Sequence, residues 1–151
     1  MRQTPKGWPR ISPSLYYDDA AKAIEWLCQA FGFTVRLRVE GEGGRIEHSE
    51  LTYGEALIMV CQSGAKPDYP NLPPGVSPST INGGNTQSIL LFVDDVDSHC
   101  AHAKANGALI IDEPKVHDYG EDYWTDRTYG ATDIEGHLWW ITQRLRDQPE
   151  N

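Results

Sequence analysis

The segment Ile11-Ser-Pro-Ser-Leu-Tyr-Tyr-Asp-Asp19 has a counterpart 76 residues further on, Gln87-Ser-Ile-Leu-Leu-Phe-Val-Asp-Asp95. Each begins with a run of residues that is typical of a strand and ends with two aspartates. An aspartate at such a point favours a helix start, because its carboxylate accepts hydrogen bonds from the free amides of the first turn. Two matching strand-to-helix junctions predict an internal duplication.

The residues behind each aspartate pair have the spacing of a helix with one buried side. In the first half Ile24, Leu27 and Phe31 recur at i, i+3 and i+7, and Gly32 is suited to end the helix in a left-handed conformation. The second half repeats this pattern from Val96 to Gly107. The two halves therefore each contain one helix of similar length.

Three strand-like segments follow each helix. They span residues 34–40, 45–53 and 55–62 in the first half and 109–112, 127–132 and 137–143 in the second, where a long segment to Trp124 follows the first of them. Each half therefore reads β-α-β-β-β, which places the chain in the α+β class. We expect the first module at residues 11–62 and the second at residues 87–143.

The rest of the chain divides into three segments. Residues 1–10 form an N-terminal extension, and residues 144–151 form a C-terminal tail. Residues 63–86 join the modules and hold five prolines and four glycines. Loops of this length are uncommon inside compact domains. Residues 63–86 are either a simple connector or a flap over a site or an arm onto a second subunit.

Composition excludes several classes of function. The formal net charge is −9, which disfavours nucleic acids and anionic membrane surfaces, since both attract Lys and Arg. No apolar run approaches the length of a membrane-spanning helix, and the N-terminus does not resemble a signal peptide. The three cysteines are widely spaced and lie in apolar surroundings, as is typical of reduced thiols. We expect a soluble, cytoplasmic protein with no nucleic-acid or membrane partner.

Motifs near the C-terminus resemble the vicinal oxygen chelate superfamily, which includes glyoxalases, bleomycin-resistance proteins and dioxygenases. Tyr123-Trp-Thr-Asp-Arg127, Tyr129-Gly130 and Asp133-Ile-Glu-Gly-His137-Leu-Trp139 are similar to its closing pattern, with Ile134 where proline is usual. Glu47-His-Ser-Glu-Leu51 resembles the third strand of bleomycin-resistance-like members. In the closing motif, Asp133 and Gly136 are explained as structural turn residues.

The resemblance implies a curved mixed sheet around one cavity and four positions for metal ligands. Those positions correspond to Ser12 and Ser88 on the first strands and to Met59 and Trp140 on the fourth strands. Catalytic divalent ions in proteins are bound by His, Asp, Glu or Cys, and the indole nitrogen has no free lone pair. We therefore expect neither a metal nor another cofactor.

Strand alternation places apolar, aromatic and hydroxyl side chains on one face of each module, a composition suited to a small-molecule site. His48 and Glu50 share a strand face and are the best acid and base candidates. The acidic stretch from Asp118 to Asp126 is explained as solvated loop charge, and no cysteine has the setting of a nucleophile. The residues expected to bind a ligand are Ser12, Tyr16, His48, Glu50, Met59, Ser88, Phe92, Trp124 and Trp140.

The sequence therefore favours a metal-free, bleomycin-resistance-like homodimer that binds a small amphipathic or aromatic molecule and sequesters an antibiotic or a toxic metabolite. The alternative is an enzyme of the same superfamily, a lyase or isomerase that uses His48 and Glu50 as acid and base, or a dioxygenase. A regulatory or partner-binding module is a third interpretation.

Overall fold

The computed structural model describes residues 1–66 and 68–149. The chain divides into two compact units, Met1–Gly84 and Asn85–Asn151. Each unit contains one α-helix and one four-stranded sheet. The α+β class and the tandem β-α-β-β-β order are thus confirmed.

The first unit contains strands β1 to β4 and helix α1 in the strand order β1-β4-β3-β2. Strand β1 is parallel to β4, and the other pairs are antiparallel. Helix α1 begins after Asp19, whose carboxylate accepts a hydrogen bond from the Lys22 amide at 3.0 Å, and it ends at Gly32, which has φ 81°. Both predicted end signals are confirmed. The elements are β1 Ser14–Tyr17, α1 Ala20–Phe31, β2 Thr34–Glu40, β3 Ile46–Tyr53 and β4 Ala56–Gln62.

The second unit repeats this arrangement with the strand order β5-β8-β7-β6. The carboxylate of Asp95 accepts a hydrogen bond from the Ser98 amide at 3.0 Å and starts helix α2. In the described part of the chain no helix has the length and apolar character needed to cross a membrane. The elements are β5 Ser88–Phe92, α2 Val96–Ala105, β6 Leu109–Asp118, β7 Thr125–Thr132 and β8 Leu138–Arg146.

The largest differences from the predicted strand boundaries are at β1, β6 and β8, and β7 begins at Thr125 instead of residue 127. Strand β1 begins at Ser14 instead of Ile11, because Pro13 has no amide hydrogen to extend the ladder. Strand β6 continues past Asp112 to Asp118, with register shifts on both sides of Asp112. These shifts and the edge position of β6 accommodate Pro114, which cannot donate to a ladder.

Strand β8 continues to Arg146, three residues beyond the predicted end at Gln143. It therefore includes the first part of the segment 144–151. Glu150 and Asn151 of that segment, and Pro67 of residues 63–86, lie outside the described residues.

The closing motif of the second unit is structural, as predicted. Oδ1 of Asp133 accepts hydrogen bonds from the amides of Glu135 and His137 at 3.1 and 3.0 Å. Its Oδ2 accepts from the indole of the fully buried Trp139 at 3.0 Å. Gly136 has φ 95°, a left-handed conformation that side chains with a Cβ resist. One buried carboxylate thus ties the turn to the core.

Candidate functional site

Each sheet has one side buried with its helix and one side that the helix does not cover, here called the open face. In the first unit Leu15 and Tyr17 are 1% and 0% exposed on the helix side, and they alternate with the half-buried Ser14 and Tyr16. The register puts Met59 opposite Ser14. Because opposed residues in a ladder point to the same side, these residues share the open face, as the strand alternation predicts.

Glu50 on β3 is the polar centre of the first open face and is 6% exposed. Its Oε1 lies 3.1 Å from Nε2 of His48, and its Oε2 lies 3.2 Å from Nε of Arg36. Both carboxylate oxygens are therefore engaged. The sequence interpretation missed Arg36, because this residue lies in a β-bulge of β2 where simple alternation fails.

The contact with Glu50 defines what His48 can do chemically. A carboxylate beside Nε2 favours the tautomer with its proton on that nitrogen, which leaves Nδ1 as an acceptor. Nδ1 makes no hydrogen bond among residues 1–66 and 68–149, and the side chain is 40% exposed. His48 can therefore accept a hydrogen bond or a proton from a bound molecule, with Glu50 as the group that orients it.

Two other predicted residues of the first unit differ in how they are covered. The hydroxyl of Ser12 is buried and has no hydrogen-bond partner in the described part of the chain. The ring of Tyr16 lies directly against the backbone of Gly75, where a Cβ would collide with it. Gly75 therefore covers Tyr16, and the Ser12 hydroxyl is a buried polar group that a ligand cannot reach in this structure.

The segment that follows β4 is held to the first unit near Asp18. The carboxylate of Asp18 accepts hydrogen bonds from Ser63 at 2.5 Å and from Ser79 at 2.9 Å. The amide of Gly64 donates to the carbonyl of Gly75 at 2.8 Å and closes the neck of the loop between them. A cavity of about 620 Å³ lies beside this loop, and its lining includes Cys61, Lys66 and Tyr69.

In the second unit, Trp140 lies half-buried on the open face. Its indole lies over Gly130 of the neighbouring strand, so close that a Cβ there would be 2.8 Å from the ring. Leu90 stands opposite Trp140 in the β5–β8 ladder and is 57% exposed, and Phe92 is 49% exposed. Trp140, Leu90 and Phe92 together are here called the indole shelf. Ser88 lies at its edge, opposite Leu138.

Beside the indole shelf, an arginine lies close to two aromatic rings. The Arg144 guanidinium carbon lies 5.5 Å from the centroid of Phe92 and 5.3 Å from that of Trp124. Its Nε donates to Oδ1 of Asp126 at 2.5 Å. A cation over a ring face is held by the ring quadrupole, so Arg144 fixes both rings in place.

The interpretation of Asp126 as solvated loop charge was wrong. Strand β7 begins at Thr125, so Asp126 is a strand residue, 8% exposed and paired with Arg144. The sequence interpretation missed Arg144 because it ended the last strand at Gln143. Alternation from Trp140, continued two steps further, would have placed Arg144 on the open face.

Burial shifts the pKa values of the three cysteines and of Tyr129. Burial raises the pKa of the Cys61 thiol, and it also raises those of Cys28 and Cys100, so none has the setting of a nucleophile. Burial likewise raises the pKa of Tyr129, whose hydroxyl lies 2.8 Å from Nδ1 of His99. This contact joins α2 to β7.

Comparison with known proteins shows the family. The sequence model of the Glyoxalase/Bleomycin resistance protein/Dioxygenase superfamily matches residues 10–141. The chain therefore belongs to this superfamily. It is 31% identical over 140 residues to an uncharacterized protein of Mycobacterium bovis, covering 92% of this chain and 86% of that one. It is 32% identical over 124 residues to the 4-hydroxyphenylpyruvate dioxygenase of Caenorhabditis elegans, covering 76% of this chain and 30% of the enzyme.

Solved structures share the fold. TioX from Micromonospora sp. ML1 has a TM-score of 0.66 and 29% identity, with 89% of this chain and 98% of that chain covered. The lactoylglutathione lyase of Agrobacterium tumefaciens has a TM-score of 0.58 at 16% identity, with 93% and 96% covered. The second likeness concerns the fold alone.

The residues at the superfamily's metal positions do not fit a catalytic divalent ion. Ser12 and Met59 supply a hydroxyl and a thioether in the first unit, and Ser88 and Trp140 supply a hydroxyl and an indole in the second. The indole N–H donates only, and the Trp140 ring is already packed over Gly130. Across residues 1–66 and 68–149, no group of three or more His, Cys, Asp or Glu side chains is arranged to hold a metal.

Proposed function

We propose that this protein is a metal-free small-molecule binder of the superfamily, and that its ligand is amphipathic or aromatic. The indole shelf carries this proposal. The half-buried Trp140 lies opposite the exposed Leu90, with the exposed Phe92 on the same strand as Leu90, and planar ligands stack on aromatic and apolar surfaces with large apolar burial. Because Arg144 holds Phe92 and Trp124, little side-chain freedom remains to be lost when a ligand binds.

Polar groups supply the anchors. Each unit offers a polar anchor for a ligand bound in that unit: Ser88 at the edge of the indole shelf in the second, and His48 on the open face of the first. Stacking and hydrogen bonds bind a molecule without changing it, which is sequestration. An antibiotic or a toxic metabolite with an aromatic part is the kind of ligand that this chemistry suits.

The test is binding of 1-anilinonaphthalene-8-sulfonate, an aromatic amphiphile, followed by its fluorescence. We expect Trp140→Leu to weaken binding about tenfold, since losing a stacking partner and its buried area costs roughly 1–1.5 kcal/mol. Trp26→Leu is the matched control, because Trp26 is also a half-buried indole but lies on α1 and packs edge-on against Phe31. Equal affinity in wild type and Trp140→Leu contradicts the proposal.

A second candidate function is proton-transfer catalysis, as in a lyase or isomerase, and the 3.1 Å contact between His48 and Glu50 favours it. Incubation with lactoylglutathione tests it, since a structural neighbour is a lactoylglutathione lyase. An enzyme of this kind converts it, and His48→Ala lowers the rate about 10²-fold or more. A binder returns it unchanged.

We further propose a cytoplasmic homodimer. The three cysteines are free thiols, as is typical of a reducing compartment. Exposed apolar side chains on the edge strand β2, such as Leu37 and Val39, provide surface that a second copy can cover. Light scattering should give twice the chain mass of 16.9 kDa, and the chain mass itself across micromolar concentrations would contradict the dimer.

A further inference from the structure

Residues 1–10, here called the N-terminal arm, meet the first sheet at Arg36. The Arg36 guanidinium donates to the carbonyl of Gly7 and, at 3.5 Å, to that of Lys6. The indole ring of Trp8 lies 5.6 Å from the guanidinium carbon. One planar cation therefore holds two adjacent carbonyls and an aromatic ring of the arm.

The rest of the arm is attached loosely. A cavity of about 780 Å³ separates it from the β3–β4 turn, and its lining includes Lys6, Trp8, Thr52 and Glu55. Within residues 1–66 and 68–149, the hydrogen bonds from the arm to the sheet are those of Arg36. An arm with so few contacts opens easily, so its docking depends on how Arg36 is held.

Glu50 holds Arg36 from the other side. Its buried Oε2 lies 3.2 Å from Nε of Arg36, and the same carboxylate orients His48. A guanidinium offers donors on both edges, so Arg36 bonds to Glu50 and to the arm simultaneously. Without the charge of Glu50, the guanidinium loses the partner that keeps it at this position.

We propose that Arg36 is a positioning residue that couples docking of the N-terminal arm to the Glu50–His48 pair. The arm is docked while Glu50 binds Arg36. It is released when the charge of Glu50 is removed, or when a cationic group of a bound molecule takes the place of Arg36 at that carboxylate. The arm is then part of the site, and its docking reports whether Arg36 or another cation is bound to Glu50.

Limited trypsin digestion of the full chain tests this coupling, because cleavage of the Lys6–Gly7 bond needs both carbonyls released from Arg36. We expect Glu50→Gln to accelerate this cleavage about fivefold, the factor that a partly exposed ion pair contributes to an opening equilibrium. Glu47→Gln is the matched control. Glu47 lies on the same strand as Glu50, and its side chain is 54% exposed. Its Oε1 lies 3.8 Å from Nε of Arg45, which makes a long and exposed ion pair. We expect cleavage of this control at the wild-type rate.

Two further variants separate positioning from general stability. Arg36→Lys keeps a cation near Glu50 but lacks the planar fork, and Trp8→Ala removes the ring. Both should accelerate cleavage after Lys6 without moving the thermal unfolding midpoint. Wild-type cleavage rates in Glu50→Gln, Arg36→Lys and Trp8→Ala overturn the proposal, as does a rise that merely follows a lower midpoint. Because digestion uses no ligand, this outcome is independent of whether the protein binds the aromatic probe.

Discussion

Gly130→Ala is the sharpest test of how the open face of the second unit is built. Gly130 pairs with Trp140 across the β7–β8 ladder. A Cβ at this position would lie 2.8 Å from Cζ3 of Trp140 and 3.2 Å from Cγ1 of Ile111. Gly130 is not among the glycines with positive φ, so alanine suits the backbone and the destabilising part of the effect is steric.

The expected change follows from two opposed contributions. Overpacking by one methyl group costs about 1–3 kcal/mol, and replacing glycine reduces the entropy of the unfolded chain by about 0.4–1 kcal/mol. We therefore expect the free energy of unfolding to fall by about 1–2 kcal/mol. The ring of Trp140 must also tilt, which should weaken binding of the aromatic probe several-fold.

Urea unfolding of wild type, Gly130→Ala, Trp140→Ala and the double variant measures this directly. Without the indole the closest contact is gone and the one with Ile111 remains, so Gly130→Ala should cost little in the Trp140→Ala background. The coupling energy between the two positions should then be about 1–2 kcal/mol. Additive effects, with the same cost in both backgrounds, would refute the close approach of the ring to Gly130.

Further predictions concern buried polar groups. Ser49→Ala should lower the free energy of unfolding by about 1–3 kcal/mol. The Ser49 hydroxyl bonds to both the amide and the carbonyl of Val60, and the substitution removes both hydrogen bonds. Ser49→Thr keeps the hydroxyl and is the comparison in urea unfolding. Asp133→Ala should lower the free energy of unfolding by about 2–4 kcal/mol and alter the near-ultraviolet circular dichroism of Trp139. The amides of Glu135 and His137 and the indole of Trp139 all lose the carboxylate that accepts their hydrogen bonds. Burial raises the pKa of Cys61, so its thiolate fraction is lower than that of a cysteine peptide at every pH. Its alkylation by iodoacetamide should therefore become half-maximal at a higher pH than that of the peptide. An equal or lower midpoint would contradict the burial.

Signals confined to a few neighbouring residues were sufficient for the order of elements. Asp19, Gly32 and Asp95 mark helix ends through contacts within one turn, and these positions are confirmed. The turn around Asp133 is equally local. Strand ends were less predictable, since β6 and β8 extend as far as their pairing with β7 continues, which depends on the partner strand.

The chemistry of the open faces depends on pairs that the chain brings together from a distance. Sequence reasoning found His48 and Glu50 because they lie two residues apart on one strand, where alternation alone places them together. It missed that Arg36 binds Glu50 and that Arg144 binds Asp126. The first pair depends on a bulge and the second on a strand longer than predicted.

Composition, caps and periodicity therefore determined the duplication, the fold class and which side of each strand is open. The register between strands determined which charges are neutralised, which ring covers a glycine, and how Arg36 links the arm to Glu50. The physical reason is that caps and alternation act within one turn or one strand, whereas register is set by the packing of whole strands and helices.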